Sequence, residues 1–186
     1  RTFLNQRNSI NDLQPDYNYP PLAEGHAVAF ETEPLAEDLL MLGSASADLW
    51  IRSTATDADL EVNLTEVRPD GMENFVQSGL LRASHRKLRE DATELRPVKS
   101  HYEEDVEPLV PGQWAQARVE IMPFAHIFRA GSRIRVSVDT PGDAHSWWYF
   151  ILLDQDASTI HSIGHHADHP SSVVLPIIPD AEVPTA

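Results

Sequence analysis

The chain contains no cysteine. That excludes a disulfide framework, a thiol nucleophile and any thiolate metal site. Positive charge is scarce as well: 14 Lys and Arg stand against 29 Asp and Glu, a net charge of −15. Such a chain repels phosphate backbones and anionic headgroups, so neither nucleic acid nor a membrane surface is expected as a partner. No apolar run is long enough to span a bilayer. Arg1-Thr2-Phe3-Leu4-Asn5 lacks the apolar core of a secretory leader. Nothing demands export, and the cytoplasm is slightly favoured. A start at Arg1 without an initiator Met reads as a piece of a longer polypeptide. Internal repeats and low-complexity tracts are missing too. Few stretches could carry a long amphipathic helix, and 14 Pro residues in 186 suit a domain rich in strands and loops.

What is present is a succession of short strand patterns. Residues 1–25 are polar, without a sustained period, and read as an extended arm; residues 26–186 read as one domain. Ala27 to Glu31 is a short first strand. Ala45, Ala47, Leu49 and Ile51 share one face of the next, opposite Ser46, Asp48 and Trp50. Leu60, Val62 and Leu64 continue the alternation, and the break at Thr65-Glu66 predicts a β-bulge. Arg68-Pro69-Asp70-Gly71 is a tight-turn signal, and the strand returns over about Asn74 to Ala83. Ser84 to Gly112 is a long charged loop with one helical turn expected near Arg89 to Leu95. Loops of that length are often functional. Ala117, Val119 and Ile121 alternate again. After Pro123, the spacing of Phe124, Ile127 and Phe128 predicts a short helical turn stopped at Gly131. Ile134, Val136 and Val138 then face in, with Arg133, Arg135 and Ser137 out. Pro141-Gly142-Asp143 predicts a turn, Trp147 to Leu153 an aromatic strand, and Thr159 to Gly164 and Val173 to Leu175 the last strands. About eight or nine short strands make an all-β antiparallel β-sandwich with little helix. Pattern alone does not separate a jelly roll from an immunoglobulin-like sandwich.

The candidate chemistry is sparse. A serine hydrolase elbow needs Gly-x-Ser-x-Gly on a strand-to-helix turn. The nearest string, Gly43-Ser44-Ala45-Ser46, lacks the second Gly and reads as a strand start, so no catalytic residue is expected here. His161, His165, His166 and His169 could serve as metal ligands. They lack the regular spacing of a metal-binding helix, however, and read as a loop before the last strand. Asp57, Asp59 and Glu61 suggest calcium only weakly; a solvated strand face is the simpler account. Arg82 reads as a structural arginine bridging to a carboxylate. Asn63-Leu64-Thr65 matches a glycosylation acceptor but falls inside a strand. Trp147 and Trp148 are adjacent strand residues and point to opposite faces, so one of them covers a partner or stays exposed. Trp147, Trp148, Arg86 and Tyr102 are the candidates for a surface that meets another domain or a ligand. No metal or cofactor is expected.

A wider set of segments carries a resemblance. Phe30-Glu31-Thr32-Glu33-Pro34-Leu35 precedes Glu37-Asp38 and Gly43. Trp50-Ile51-Arg52-Ser53-Thr54-Ala55-Thr56-Asp57-Ala58-Asp59 and Val67-Arg68-Pro69-Asp70-Gly71 follow. Then come Gly79-Leu80-Leu81-Arg82, Phe128-Arg129-Ala130-Gly131-Ser132-Arg133-Ile134-Arg135-Val136 and His169-Pro170-Ser171. In that order they resemble the C-terminal jelly-roll domain of the X-Pro dipeptidyl-peptidase and cocaine-esterase (CocE/NonD) serine hydrolases. The resemblance runs from about Phe30 to Pro179. It implies a galactose-binding-like jelly roll that packs on an α/β-hydrolase domain of the same polypeptide, shapes its substrate pocket and contributes to a homodimer. The catalytic Ser, Asp and His would lie in that other domain. The parent reaction would be hydrolysis of an ester or amide, X-Pro peptides included, without a cofactor. The alternative is a carbohydrate-binding sandwich module.

Overall fold

The computed structural model describes residues 24–141 and 151–184. The candidates Trp147 and Trp148, most of the expected aromatic strand and most of the arm lie outside them.

Among the described residues ten strands run in chain order: β1 Val28–Glu31, β2 Leu39–Ser53, β3 Asp59–Val67, β4 Glu73–Arg82, β5 Trp114–Phe128, β6 Arg133–Asp139, β7 His161–Ile163, β8 His165–His166, β9 His169–Pro170 and β10 Ser172–Val174. One sheet has the order β1-β6-β3-β4; the other has β10-β2-β5, with β7 also on β2. All pairings are antiparallel. The fold is therefore an antiparallel β-sandwich.

The period-two pattern sets the core. Ala45, Ala47 and Ile51 of β2 and Val119 and Ile121 of β5 are buried against Val62 and Leu64 of β3. The expected hairpin forms, with Gly71 at φ 84° and the Gly71 N–H donating to the Arg68 carbonyl at 2.9 Å. Its bulge sits one residue earlier than expected. Leu64 pairs with Gln77 and Thr65 with Phe75, so the extra residue is Val76 on β4. At Gly79 the two sheets touch backbone to backbone: a Cβ there would lie 1.9 Å from the Glu120 carbonyl oxygen of β5.

Two expected helical turns are absent. β5 runs straight through Pro123 to Phe128. Gly43 pairs with Phe124 and Ala45 with Ile121, so Met122 and Pro123 together oppose Ser44 in a bulge. Proline has no N–H to lose there. The bulge shifts the inward parity from Ile121 to Phe124 and Phe128, and this shift imitates helical spacing. Arg89 to Leu95 is an open turn, flanked by a single bridge from Leu88 to Lys99. Gly131 instead closes the β5–β6 turn at φ 84°. Asp38 accepts the Ala130 N–H at 2.8 Å and an Arg129 N–H at 2.6 Å there, and those bonds hold its carboxyl below the usual range. Residues 151–153 are also not in a strand.

β3 corrects a further expectation. Asp59 and Glu61 are not solvated: they are 8% and 1% exposed. Every residue of β3 from Asp59 to Glu66 is buried, so both its faces are covered, and its two edges pair with β6 and β4. Asp59 accepts from Arg82 Nε at 2.8 Å and Nη2 at 3.1 Å, and from the Leu153 N–H at 2.8 Å. Arg82 is thus the structural arginine its position predicts. Asn63 is fully buried, which removes it as a glycan acceptor. Ser137, expected outside, is buried too. Arg135 forms ion pairs with Glu31 of β1 and Glu73 of β4 across the sheet.

Candidate functional site

The outward side chains of β2 and β5 form a strip of matched pairs. The register sets Ser46 opposite Glu120, Asp48 opposite Arg118, Trp50 opposite Gln116 and Arg52 opposite Trp114. Directly opposed side chains interact across antiparallel strands. Asp48 and Arg118 accordingly form a two-pronged ion pair, and the Arg52 guanidinium lies 4.7 Å from the centre of the Trp114 ring.

Two structures roof this strip. At one end lies the long loop, which carries 3-10 turns at Ala83–His85 and Glu103–Asp105. The Ser46 hydroxyl donates to the Glu94 carbonyl at 2.7 Å, pinning the loop to the sheet. At the other end lies the β8–β9 hairpin, an excursion between β7 and β10. Gly164 anchors it: its N–H donates to the Trp50 carbonyl at 2.8 Å, and a Cβ there would lie 2.8 Å from the His169 carbonyl oxygen. His169 stacks on Trp114 at 4.8 Å and meets Trp50 edge-on at 4.8 Å. His166 meets Trp114 at 6.0 Å. The four histidines therefore lie in strands rather than in a loop, and His166 and His169 pack on tryptophans. Among the described residues, no group of three or more His, Cys, Asp or Glu could hold a metal. Trp50 and Trp114 already hold imidazoles, which leaves them poor platforms for a sugar ring.

Between the two roofs is a cavity of about 420 Å³ lined by Asp48, Trp50, Arg86, Arg118 and Pro170 among others. Arg86 turns into the fold there. It bonds the Ala83 and Glu107 carbonyls and the Glu107 carboxylate at 2.8 Å, so it staples the loop closed. Tyr102 is 62% exposed on the same loop, with Val106 and Val110 exposed after it. The structure thus gives these two candidates different settings.

A second cavity, about 510 Å³, opens where β3, β4 and β5 meet the loop. Its wall contains Lys99, which nothing in the sequence marks out. Lys99 is only 9% exposed, and its ammonium donates to the Pro97 carbonyl at 2.7 Å. Burial pushes its pKa down to about 8, against the opposing pull of Glu120. The other lysine, Lys87, is raised by its hydrogen bond to Asp105.

The string Gly43-Ser44-Ala45-Ser46 lies inside β2 with no helix after it, so it has no elbow geometry. The polar pairs of this sandwich tie its own strands and loops together. Residues 6–173 match the family of X-Pro dipeptidyl-peptidase C-terminal non-catalytic domains, and the chain belongs to that family, within the CocE/NonD-type hydrolases. A protein of Mycobacterium tuberculosis named as a serine esterase is 30% identical over 154 residues, which is 81% of this chain and 24% of that protein. The cocaine esterase of a Rhodococcus strain is 24% identical over 184 residues, 95% of this chain and 29% of that protein. A solved CocE/NonD family hydrolase from Staphylococcus aureus superposes with a TM-score of 0.70 at 22% identity, over 82% of this chain and 30% of that one. This chain spans about a quarter of the length of the curated relatives it matches.

Proposed function

We propose that this domain buttresses an α/β-hydrolase domain of the same polypeptide and helps to wall its substrate pocket. The observation that carries the reading is the match of residues 6–173 to a non-catalytic domain family, in relatives more than three times as long. The whole protein would transfer an acyl group from an ester or amide, X-Pro peptides included, to water without a cofactor. Tyr102, with the exposed Val106 and Val110, supplies the apolar surface on the long loop for such docking. Trp147 and Trp148, outside the described residues, are proposed as further docking residues. Arg86 holds the loop in shape.

Three proteins test this: the pure chain, the intact protein, and the intact protein lacking residues 26–186. The pure chain should leave p-nitrophenyl acetate untouched, and the intact protein should hydrolyse it. Removal of the domain should lower kcat/KM. Hydrolysis by the pure chain that a single Ser→Ala change abolishes would overturn the non-catalytic reading. Unchanged kcat/KM after removal would overturn the buttress.

A further inference from the structure

We propose that Lys99 is a covalent capture site for small apolar aldehydes, which reach its amine through the cavity between the long loop and the two sheets. The cavity has room for such a ligand, at about 510 Å³. Much of its wall is apolar and partly open: Leu80, Met122, Ile151 and Leu152 are all 40% exposed or more. Lys99 is the one amine in the described wall. Its ammonium donates to the Pro97 carbonyl, a bond that takes one of its three N–H groups.

The charges around the cavity come in both signs, Glu120 and Asp59 beside Lys99 and Arg82, and give an ionic ligand no net pull. Arg82 and Asp59 are spent on each other. An uncharged carbonyl compound needs no charged partner, and an apolar chain fits the wall. The chemistry needs no outside oxidant or reductant. The nitrogen lone pair adds to the aldehyde carbon, the two nitrogen hydrogens leave with the carbonyl oxygen as water, and a C=N bond remains. Protonation of that imine gives a cation, which the Glu120 carboxylate favours. Asp48 acts in the same sense and Arg118 opposes it. The depressed basicity of Lys99 supports the step, because a neutral amine is the nucleophile.

Lys87 is the internal control, since the chain has only these two lysines. The intact protein is treated with hexanal, or with the charged aldehyde glyoxylate, in the presence of cyanoborohydride. Peptide mapping then reads the label at each lysine. Hexanal should label Lys99 at least about tenfold faster than Lys87 at pH 7.5, following the larger neutral fraction of Lys99. The Lys99 rate should level off above pH 8, and glyoxylate should lose the preference. Met122→Glu, a half-exposed wall position, should depress labelling of Lys99 by hexanal and leave Lys87 unchanged. Equal labelling of the two lysines, or indifference of Lys99 to Met122→Glu, would overturn the proposal. Neither outcome depends on hydrolase activity, so this inference and the buttress proposal fail separately.

Discussion

Lys99→Met should make the protein more stable at neutral pH, and the gain should vanish in alkali. The amine has a pKa of about 8 against an ordinary 10.5. At about 1.4 kcal/mol per unit, keeping it charged inside the fold costs roughly 3 kcal/mol. The sign follows from proton counts. Between pH 8 and 10.5 the unfolded chain binds the proton and the folded chain does not. Stability of the wild type therefore rises across that window, and the full cost applies below pH 8. Methionine keeps an unbranched stem of similar reach and carries no charge. It forfeits the hydrogen bond to the Pro97 carbonyl, worth about 1 kcal/mol. The net expectation is a gain of about 2 kcal/mol at pH 7, or roughly 5 °C in Tm for a chain of this size. Thermal unfolding of wild type and variant at pH 7 and pH 10 reads the difference directly. A variant less stable at pH 7, or a gain that persists unchanged at pH 10, would refute the account. If Lys99 does capture aldehydes, this lost stability is what the protein gives up to keep a reactive amine.

Three further outcomes are expected. Gly79→Ala should cost about 2–3 kcal/mol in urea unfolding, because its Cβ would collide with a backbone carbonyl that cannot turn aside; a loss under about 0.5 would contradict the sheet contact. Burial pushes Glu66 upward, but the Arg129 N–H at 3.0 Å and His126 at 2.9 Å outweigh it and hold its carboxyl below the ordinary 4.5. Its contribution is therefore intact above about pH 4.5 and disappears as the pH falls through the folded value; Glu66→Gln should flatten that acid limb in a pH series of Tm measurements. Asp59→Asn removes the ionised acceptor for Arg82 and the Leu153 N–H, so hydrogen exchange at Leu153 should quicken about tenfold while the Ile121 amide in the core of β5 stays protected.

The sequence revealed most where a strand is half-buried and its pattern is local. Ala45 to Ile51, Ala117 to Ile121 and Ile134 to Val138 show their faces by alternation alone. Arg68-Pro69-Asp70-Gly71 carries its own turn chemistry. It misled where the deciding partner is distant. Phe124 and Phe128 are four apart because a bulge against Ser44 changed the parity of β5. Asp59 and Glu61 look like a solvated face until both faces of β3 are known to be covered. The histidines near the C-terminus gave no hint of Trp50 and Trp114, which are more than 50 positions away in the chain. Lys99 was invisible for the same reason: its burial is made by β5 and by the loop's own fold.

The arginines have one further consequence. Arg82, Arg86, Arg118, Arg129 and Arg135 are each tied to a carboxylate of this domain, and Arg52 lies over Trp114. Those cations are consumed in holding strands and loops together, and the remaining carboxylates set the far field of a chain with net charge −15. Two copies approaching in dilute buffer should push each other away, and added salt should relax that repulsion over a Debye length of about 10 Å at 0.1 M. A positively charged face would instead be drawn in from a distance, with an encounter rate that drops as ionic strength rises.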